Sequence, residues 1–275
     1  MFNFQCHITS NLRHFCFSLL FIFVLASICH GTERNIPFNK TVQLMKAEES
    51  SHQTFKIMTE EYPPYNFAEN GKITGASTEI VQELLKRVGH RDNIKLHSWS
   101  LAYKLIQEKA GHILFSTTKT RDREKLFKWV GPLLPQKLVF FARKGSNYSF
   151  STVTEAKKVG RIGVYRDDVG DLLLKEKGFK NLDRVIDNQL NPKKLVAKRI
   201  DLWLVGELVG NHLAVKAGLA DKIEKVFDVL TRPLYIAFSK DTPDSVIEKW
   251  QKNLDEMKAD GTYKRILEKW SVQDL

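Results

Sequence analysis

A chain of 275 residues, 43% apolar and 27% charged, has the length and balance of a soluble globular protein, and it contains no low-complexity tract or internal repeat. Its formal charge of +11 raises nucleic acid, anionic lipid or an anionic ligand as partners, yet lysines such as Lys56, Lys72, Lys86, Lys95, Lys104 and Lys109 are scattered among acids, so the charge reads as a solvated surface. All three cysteines, Cys6, Cys16 and Cys29, precede residue 32, which leaves the rest of the chain without a disulfide framework, a Cys-based metal site or a Cys nucleophile.

The N-terminal stretch reads as an export signal over residues 1–31. Arg13 and His14 precede an apolar run from Phe15 to Ile28, and the small residues Ser27, Cys29 and Gly31 follow near a cut. Such a run is short for a bilayer span and suits a signal-peptide core; an uncleaved anchor is the weaker alternative. Export argues against nucleic acid as a partner. Residues 32–53 are polar and aperiodic, a linker with a short helical turn near Val42 to Met45.

Phe55-Lys56-Ile57-Met58-Thr59 alternates apolar and polar residues, as a strand does. The loop after it, Glu61-Tyr62-Pro63-Pro64-Tyr65-Asn66-Phe67, holds aromatic rings on a backbone stiffened by two prolines. Ser77 to Val88 has helical spacing closed by Gly89. Asn93 to His97 is a further strand, and Trp99 to Ala110 a further helix with Leu101, Leu105 and Ile106 inward. Trp99 sits where strand passes into helix, placed equally for a cleft or a core. His112 has no ligand-spaced partner and reads as structural rather than metal-binding.

Ile113-Leu114-Phe115 is short and apolar enough for a buried strand, and it runs into Ser116-Thr117-Thr118-Lys119-Thr120-Arg121-Asp122-Arg123-Glu124-Lys125. Thr120 is placed to cap a helix that continues through Phe127, with Glu124 one residue off the ideal capping-box spacing. A strand, a Thr-rich turn and a helix start gather N–H groups and hydroxyls at one point, and an Arg one turn in adds a planar fork for a carboxylate. A polar loop with a surface Arg is the plainer alternative.

Gly131 to Pro135 reads as a break before the strand Leu138 to Ala142. Strands then alternate with helices: a short helix Val153 to Lys158, strand Val159 to Val164, loop Asp167-Asp168, helix Asp171 to Lys177, strand Val185-Ile186, helix Pro192 to Lys198, strand Ile200 to Val205 and helix Glu207 to Ala217. Val226 to Leu230 and Tyr235 to Phe238 are the last strands. Two helices end the chain, the first with the stripe Val246, Ile247, Trp250, Leu254 and Met257, the second, after Gly261, with Ile266, Leu267 and Trp270. The alternation is that of an α/β protein.

The aromatic-proline loop, Gly71-Lys72-Ile73-Thr74-Gly75, Glu79-Ile80-Val81, the Ser116 to Lys125 segment with Phe127-Lys128-Trp129-Val130-Gly131-Pro132, and the ending Asp260 to Trp270 occur in an order that resembles the bacterial extracellular solute-binding proteins of family 3. The resemblance runs from about residue 54 to 272 and rests on the combination, since each motif alone is weak. It implies the type II periplasmic binding protein fold: lobe 1 from 54–134 and 233–275, lobe 2 from 135–232, joined by two hinge strands with crossovers near Pro135 and Thr231-Arg232-Pro233. It implies a periplasmic, monomeric receptor that captures a small polar solute, an amino acid or related compound, and delivers it to an ABC permease, with no cofactor, metal or catalytic residue.

The resemblance implies ligand contacts at Tyr62, Thr118, Thr120 and Arg123, with Arg123 holding an α-carboxylate and Tyr62 forming an aromatic wall; Trp99, by its place at the strand end, and Asp168 join them as candidates. Phe67 is assigned to packing; Arg121 is the weaker candidate for the carboxylate, with solvent as its alternative. Lobe 2 departs from the amino-acid pattern. Asp167-Asp168 stands where a Gly and a Ser or Thr are expected, and Gly206 stands where an Asp pairs with the ligand ammonium. Asp168 or Glu207 supplies the missing anion, or each caps the helix that follows. A membrane sensor of the same fold and an enzyme resembling cyclohexadienyl dehydratase, with Asp168 and Glu207 as its acids, are the competing readings.

Overall fold

The structure is a computed structural model in which residues 54–272 are described; the expected signal segment and linker lie outside them. An eight-stranded sheet organises the chain, in the order β4-β1-β5-β10-β6-β9-β7-β8. Its first half holds β1 (Lys56–Thr59), β4 (Lys95–Leu96) and β5 (His112–Thr118), mutually parallel. Its second half holds β7 (Ile162–Tyr165), β8 (Leu182–Val185) and β9 (Leu202–Gly206), also parallel. A short hairpin of β2 (Phe67–Glu69) and β3 (Lys72–Thr74) stands apart.

Two long strands join the halves. β6 (Lys128–Arg143) and β10 (Ile223–Phe238) pair antiparallel from Lys128–Phe238 at one end to Arg143–Ile223 at the other. Sixteen residues of extended chain reach about 50 Å, enough to cross both halves. The expected break at Gly131 to Pro135, and the gap between Leu230 and Tyr235, are therefore absent: each stretch is interior to one continuous strand. The prolines are tolerated because Pro135 lies opposite Pro233 where neither strand has a further neighbour. Pairing with β5 starts at Leu234 and pairing with β9 at Leu138. A proline on such an edge removes no second ladder bond. Over residues 135–137 and 231–233 the connection is thus a bare two-stranded ribbon.

The helices bury the faces their periodicity indicates. α1 (Ala76–Val88) buries Ile80, Val81, Leu84 and Leu85, and ends on Gly89 at φ 75°, whose N–H reaches the carbonyls of Leu85 and Lys86. α7 (Asp244–Ala259) buries Val246, Trp250, Leu254 and Met257. α8 (Thr262–Trp270) follows Gly261 and buries Tyr263 and Leu267, while Trp270 is half-buried against the edge of Phe67. One apolar cluster runs through Phe55, Leu84, Phe115, Trp203, Phe238 and Trp250. A second, in the second half, holds Phe140, Ile162, Leu174, Leu202 and Leu204.

α2 (Trp99–Glu108) departs from expectation at Leu101, which is exposed; Trp99, Ala102 and Ile106 form the buried stripe, at the i, i+3, i+7 spacing of one face. The helix expected from Thr120 through Phe127 is one turn, α3 (Arg121–Glu124), because the chain re-enters sheet pairing at Lys128. The remaining helices, α4 (Val169–Glu176), α5 (Leu190–Val196) and α6 (Glu207–Lys216), alternate with β7, β8 and β9; β8 lies earlier than the expected Val185-Ile186, and Ile186 falls outside it and is exposed.

Candidate functional site

The C-terminal ends of β1 and β5 in one half and of β7 and β9 in the other meet across a cleft, the place where open α/β sheets bind ligands. β5 is buried along its whole length, which fixes its end, and Thr120 then caps α3 by accepting the Arg123 backbone N–H at 3.3 Å. This turns Arg123 inward, and it is only 1% exposed. Its guanidinium lies against two rings that stack on each other, 4.9 Å from the Trp99 centroid and 4.8 Å from that of Tyr103. Its Nη1 points to the Thr118 carbonyl at 3.5 Å, and its Nη2 donates to the Asp167 carbonyl, in the opposite half, at 3.1 Å. Its Nε has no partner.

The same Asp167 carbonyl accepts from the Trp99 indole N–H at 2.9 Å. Asp167 is left-handed at φ 60°, a conformation Asp tolerates better than most residues. Its N–H turns to the buried Asp171 carboxylate at 3.1 Å, itself held by Arg184 at 2.8 Å, and its carbonyl faces the cleft. Trp99 is thus both buried, with Met58, Ala102, Leu114 and Tyr165 around it, and hydrogen-bonded across the cleft.

Two carboxylates accompany Arg123. Asp168 caps α4 by accepting the Val169 N–H at 2.6 Å. Desolvation pushes its carboxyl above the ordinary Asp range, with the Val169 and Gly170 N–H groups and Arg123 opposing. Glu60, one residue beyond β1, is 4% exposed, and its Oε2 has no partner. Burial, then the nearby charge of Asp168, push its carboxyl well above the ordinary Glu range, while the Tyr165 hydroxyl and Arg123 pull it down. Tyr165 links the halves again, since its hydroxyl accepts the Trp99 backbone N–H at 3.3 Å.

At the third corner, Gly206 ends β9 opposite Leu138. A Cβ there would lie 2.9 Å from the Tyr62 hydroxyl and 3.6 Å from Gln136 Nε2. Gln136, on the bare ribbon and 2% exposed, donates to the Tyr62 hydroxyl and accepts from the Thr118 hydroxyl at 3.0 Å. Tyr62 is 2% exposed and stacks on Tyr65, whose hydroxyl donates to the Pro135 carbonyl at 2.8 Å. The space beside Gly206 is therefore filled by a tyrosine hydroxyl and an amide.

Tyr62, Trp99, Thr118, Arg123 and Asp168 come together here, and Thr120 supports from the turn. Glu207 is elsewhere: it opens α6 and pairs with Lys225 at 2.8 Å and Lys137 at 3.7 Å. Phe67 packs against His212 and Trp270, and Arg121 is exposed. Glu60, Tyr165 and Gln136 were missed in the sequence. Glu60 and Tyr165 carried a signal, a polar residue at the end of an apolar strand; Gln136 carried none. Two cavities flank the cleft: one of about 370 Å³ lined by Glu61, His97, Tyr165, Asn188 and His212, the other of about 580 Å³ lined by Thr120, Arg121, Leu172 and Arg232. Neither is lined by Arg123, Glu60 or Gly206, which are packed between the halves.

The profile of the bacterial extracellular solute-binding proteins, family 3, matches residues 56–273. The chain is 26% identical to a probable histidine-binding protein of Campylobacter jejuni, over 85% of this chain and 91% of that one. It is 25% identical to the L-cystine-binding protein TcyJ of Escherichia coli, over 78% of this chain and 80% of that one. Among solved structures, a histidine kinase sensor domain with similarity to periplasmic binding proteins superposes with a TM-score of 0.76 at 20% identity, covering 82% of this chain and 99% of that one.

Proposed function

We propose, for a chain that belongs to the bacterial extracellular solute-binding proteins of family 3 and has their two-lobe fold, that the cleft captures a zwitterionic amino acid. The observation that carries this is Arg123: a buried guanidinium set against the stacked pair of Trp99 and Tyr103, meeting a carbonyl of the opposite lobe, with one donor unpaired. A ligand carboxylate takes the donors that the Asp167 carbonyl now accepts, and binds better than a neutral carbonyl because the bond is charge-assisted. The ligand ammonium meets Asp168. Tyr62 and Trp99 wall the site, and Thr118 holds the turn through Gln136 and Arg123.

The lobes divide at Pro135 and Pro233, where the connection is a two-stranded ribbon and bends most easily. Residues 1–31 export the chain to the periplasm, where as a monomer it delivers its solute to an ABC permease. The curated relatives named for histidine and cystine support the ligand class. A second reading, ligand sensing for a membrane partner, is favoured by the likeness to a sensor domain. An enzymatic role is the weakest reading, since the cleft acids Glu60 and Asp168 have positioning partners but no paired nucleophile or base network.

The test is a thermal-shift screen of the purified protein against amino acids, polyamines, small carboxylates and phosphorylated metabolites. An amino acid at about 100 times its dissociation constant raises stability by roughly 2.7 kcal/mol, which shifts the melting temperature measurably. Hits confined to compounds without an ammonium group overturn the reading. Turnover of prephenate or arogenate would move the chain to the enzymes.

A further inference from the structure

We propose that the cavity of about 580 Å³ between the lobes, which reaches the ribbon at Arg232, is a second ligand site, and that it takes an organic acid with one carboxylate and an apolar body. The proposal stands apart from the amino-acid reading, since Arg123, Asp168 and Tyr62 do not line this space.

Three parts of the chain meet around the cavity. The first lobe brings Arg121, the first residue of α3, which therefore lines this space rather than the cleft that holds Arg123. The ribbon brings Arg232, which stands opposite Gln136 in the β6–β10 pairing, so the two side chains share a face. The second lobe brings α4, and α4 supplies the apolar floor. Its core side is Gly170, packed on Leu204, and the buried Leu174. Leu172 and Leu173 lie off that side and are only half-buried. With Val169 and Glu176 they fall at i, i+3, i+4 and i+7, one stripe of the helix, and that stripe lines the cavity. Leu230 of β10 extends the floor. A surface helix is ordinarily polar away from its core side. A second apolar stripe, turned on a space of a few hundred Å³ between two lobes, is the arrangement small-molecule sites use.

The rim sets the charge. It carries the cations Arg121, Lys175 and Arg232 and the acids Asp122 and Glu176, all exposed. Among the described residues, none of these five side chains makes an ion pair or a hydrogen bond. The surplus is one positive charge, which matches one anionic group and disfavours a polyanion. Two of the cations are guanidiniums, whose planar forks fit a carboxylate. A ligand whose carboxylate meets them while its apolar body lies along Leu172, Leu173 and Leu230 touches both lobes and the ribbon at once. Its binding then depends on the angle between the lobes and is coupled to occupancy of the cleft.

The experiment is calorimetric titration of the purified protein with three probes: 3-phenylpropanoate, its neutral amide 3-phenylpropanamide, and acetate. The amide keeps the apolar body without the charge, and acetate keeps the charge without the body. The phenylpropanoate is expected to bind saturably, at least about tenfold tighter than either of the others. Arg121→Gln and Arg232→Gln are each expected to weaken it by about fivefold or more, and Leu173→Asn to weaken it as well. A control carrying K86Q and K264Q, two exposed lysines that do not line the cavity, is expected to stay within about twofold of wild type. Equal weakening in the control overturns the proposal, because the probe would then be reading net surface charge. Undiminished binding in both R121Q and R232Q places the probe elsewhere, the Arg123 cleft included, and overturns it too. So does equal binding of the amide, or no saturable binding of the phenylpropanoate; none of these outcomes touches the amino-acid reading.

Discussion

At the ends of its strands the first lobe places Glu60, Tyr62, Trp99 and Arg123, none more than 4% exposed. The second lobe places a backbone carbonyl at Asp167, a carboxylate that also caps a helix at Asp168, and no side chain at all at Gly206. The first lobe's groups are locked by packing: Arg123 against the Trp99 and Tyr103 rings, Tyr62 on Tyr65, Trp99 in an apolar cluster. The second lobe's groups are locked by backbone geometry, the left-handed Asp167 and the α4 cap. On the proposed reading, recognition by side-chain chemistry belongs mainly to the first lobe, and the second lobe supplies fit and one charge. Substitutions in the two lobes should fail in different ways.

The largest effect is expected at Arg123. Truncating one partner of a buried charge pair costs roughly 2–5 kcal/mol of binding, so Arg123→Ala should abolish detectable titration with any carboxylate ligand. Arg123→Lys keeps the charge but loses the planar fork and its contacts with the Trp99 and Tyr103 rings, and should recover little. Unchanged affinity in R123A would remove the carboxylate from this position.

Gly206 tests the other lobe. Its φ of −58° suits any residue, so a methyl group there is limited by space alone. That methyl would sit 2.9 Å from the Tyr62 hydroxyl, and Gly206→Ala should lower unfolding stability by about 1–3 kcal/mol through overpacking. Removing the hydroxyl in Tyr62→Phe should recover part of the loss in the double variant, a coupling read from denaturant midpoints of all four proteins. Strictly additive losses would mean that Tyr62 and Gly206 do not share this space.

The same contrast explains what was legible in the sequence. Thr118, Thr120 and Arg123 lie within six residues on one strand–turn–helix unit, and local spacing places them. Glu60, Gln136 and Tyr165 acquire their roles only through distant partners: Gln136 meets Tyr62 across 74 positions, and Tyr165 meets Trp99 across 66. No local pattern encodes such meetings. The sheet erred in one consistent direction. Pro135 and Pro233 break a strand by local rules, yet they survive here because they face each other on a ribbon with no outer neighbours. The resemblance of the whole chain to one family carried the two-lobe architecture, which periodicity could not.

A subtler separation concerns Glu60. Burial and the charge of Asp168 raise its carboxyl in the folded protein, with Tyr165 and Arg123 opposing and Glu61 adding repulsion. The folded state then holds its proton to higher pH than the unfolded chain, whose Glu titrates near 4.3. As pH rises past that value the unfolded chain ionises first, and stability falls. Glu60→Gln cannot ionise, so without ligand it should melt above wild type at pH 7, with the gap closing below about pH 4. A variant that melts below wild type at pH 7 would make Glu60 a structural residue rather than one held ready for a ligand.

The smallest effect is expected at Glu207, the acid beside Gly206 and hence a candidate to replace a missing cleft carboxylate. Its carboxylate pairs with Lys225 and Lys137, and both lysines also pair with Asp228. Lys137 lies on the ribbon, Lys225 and Asp228 earlier on β10, and Glu207 at the start of α6, all more than a quarter exposed, where solvent screens them and single pairs contribute about 0–1 kcal/mol. Because Asp228 still holds both lysines, Glu207→Ala should move the melting temperature slightly and leave affinity for any cleft ligand unchanged. Raising salt should shrink even the small stability change, since screening weakens exposed pairs first. A tenfold or larger loss of affinity in E207A, on the order of 1.4 kcal/mol, would bring this acid back into the site and put the second lobe's charge at the start of α6, beside Gly206 rather than at Asp168.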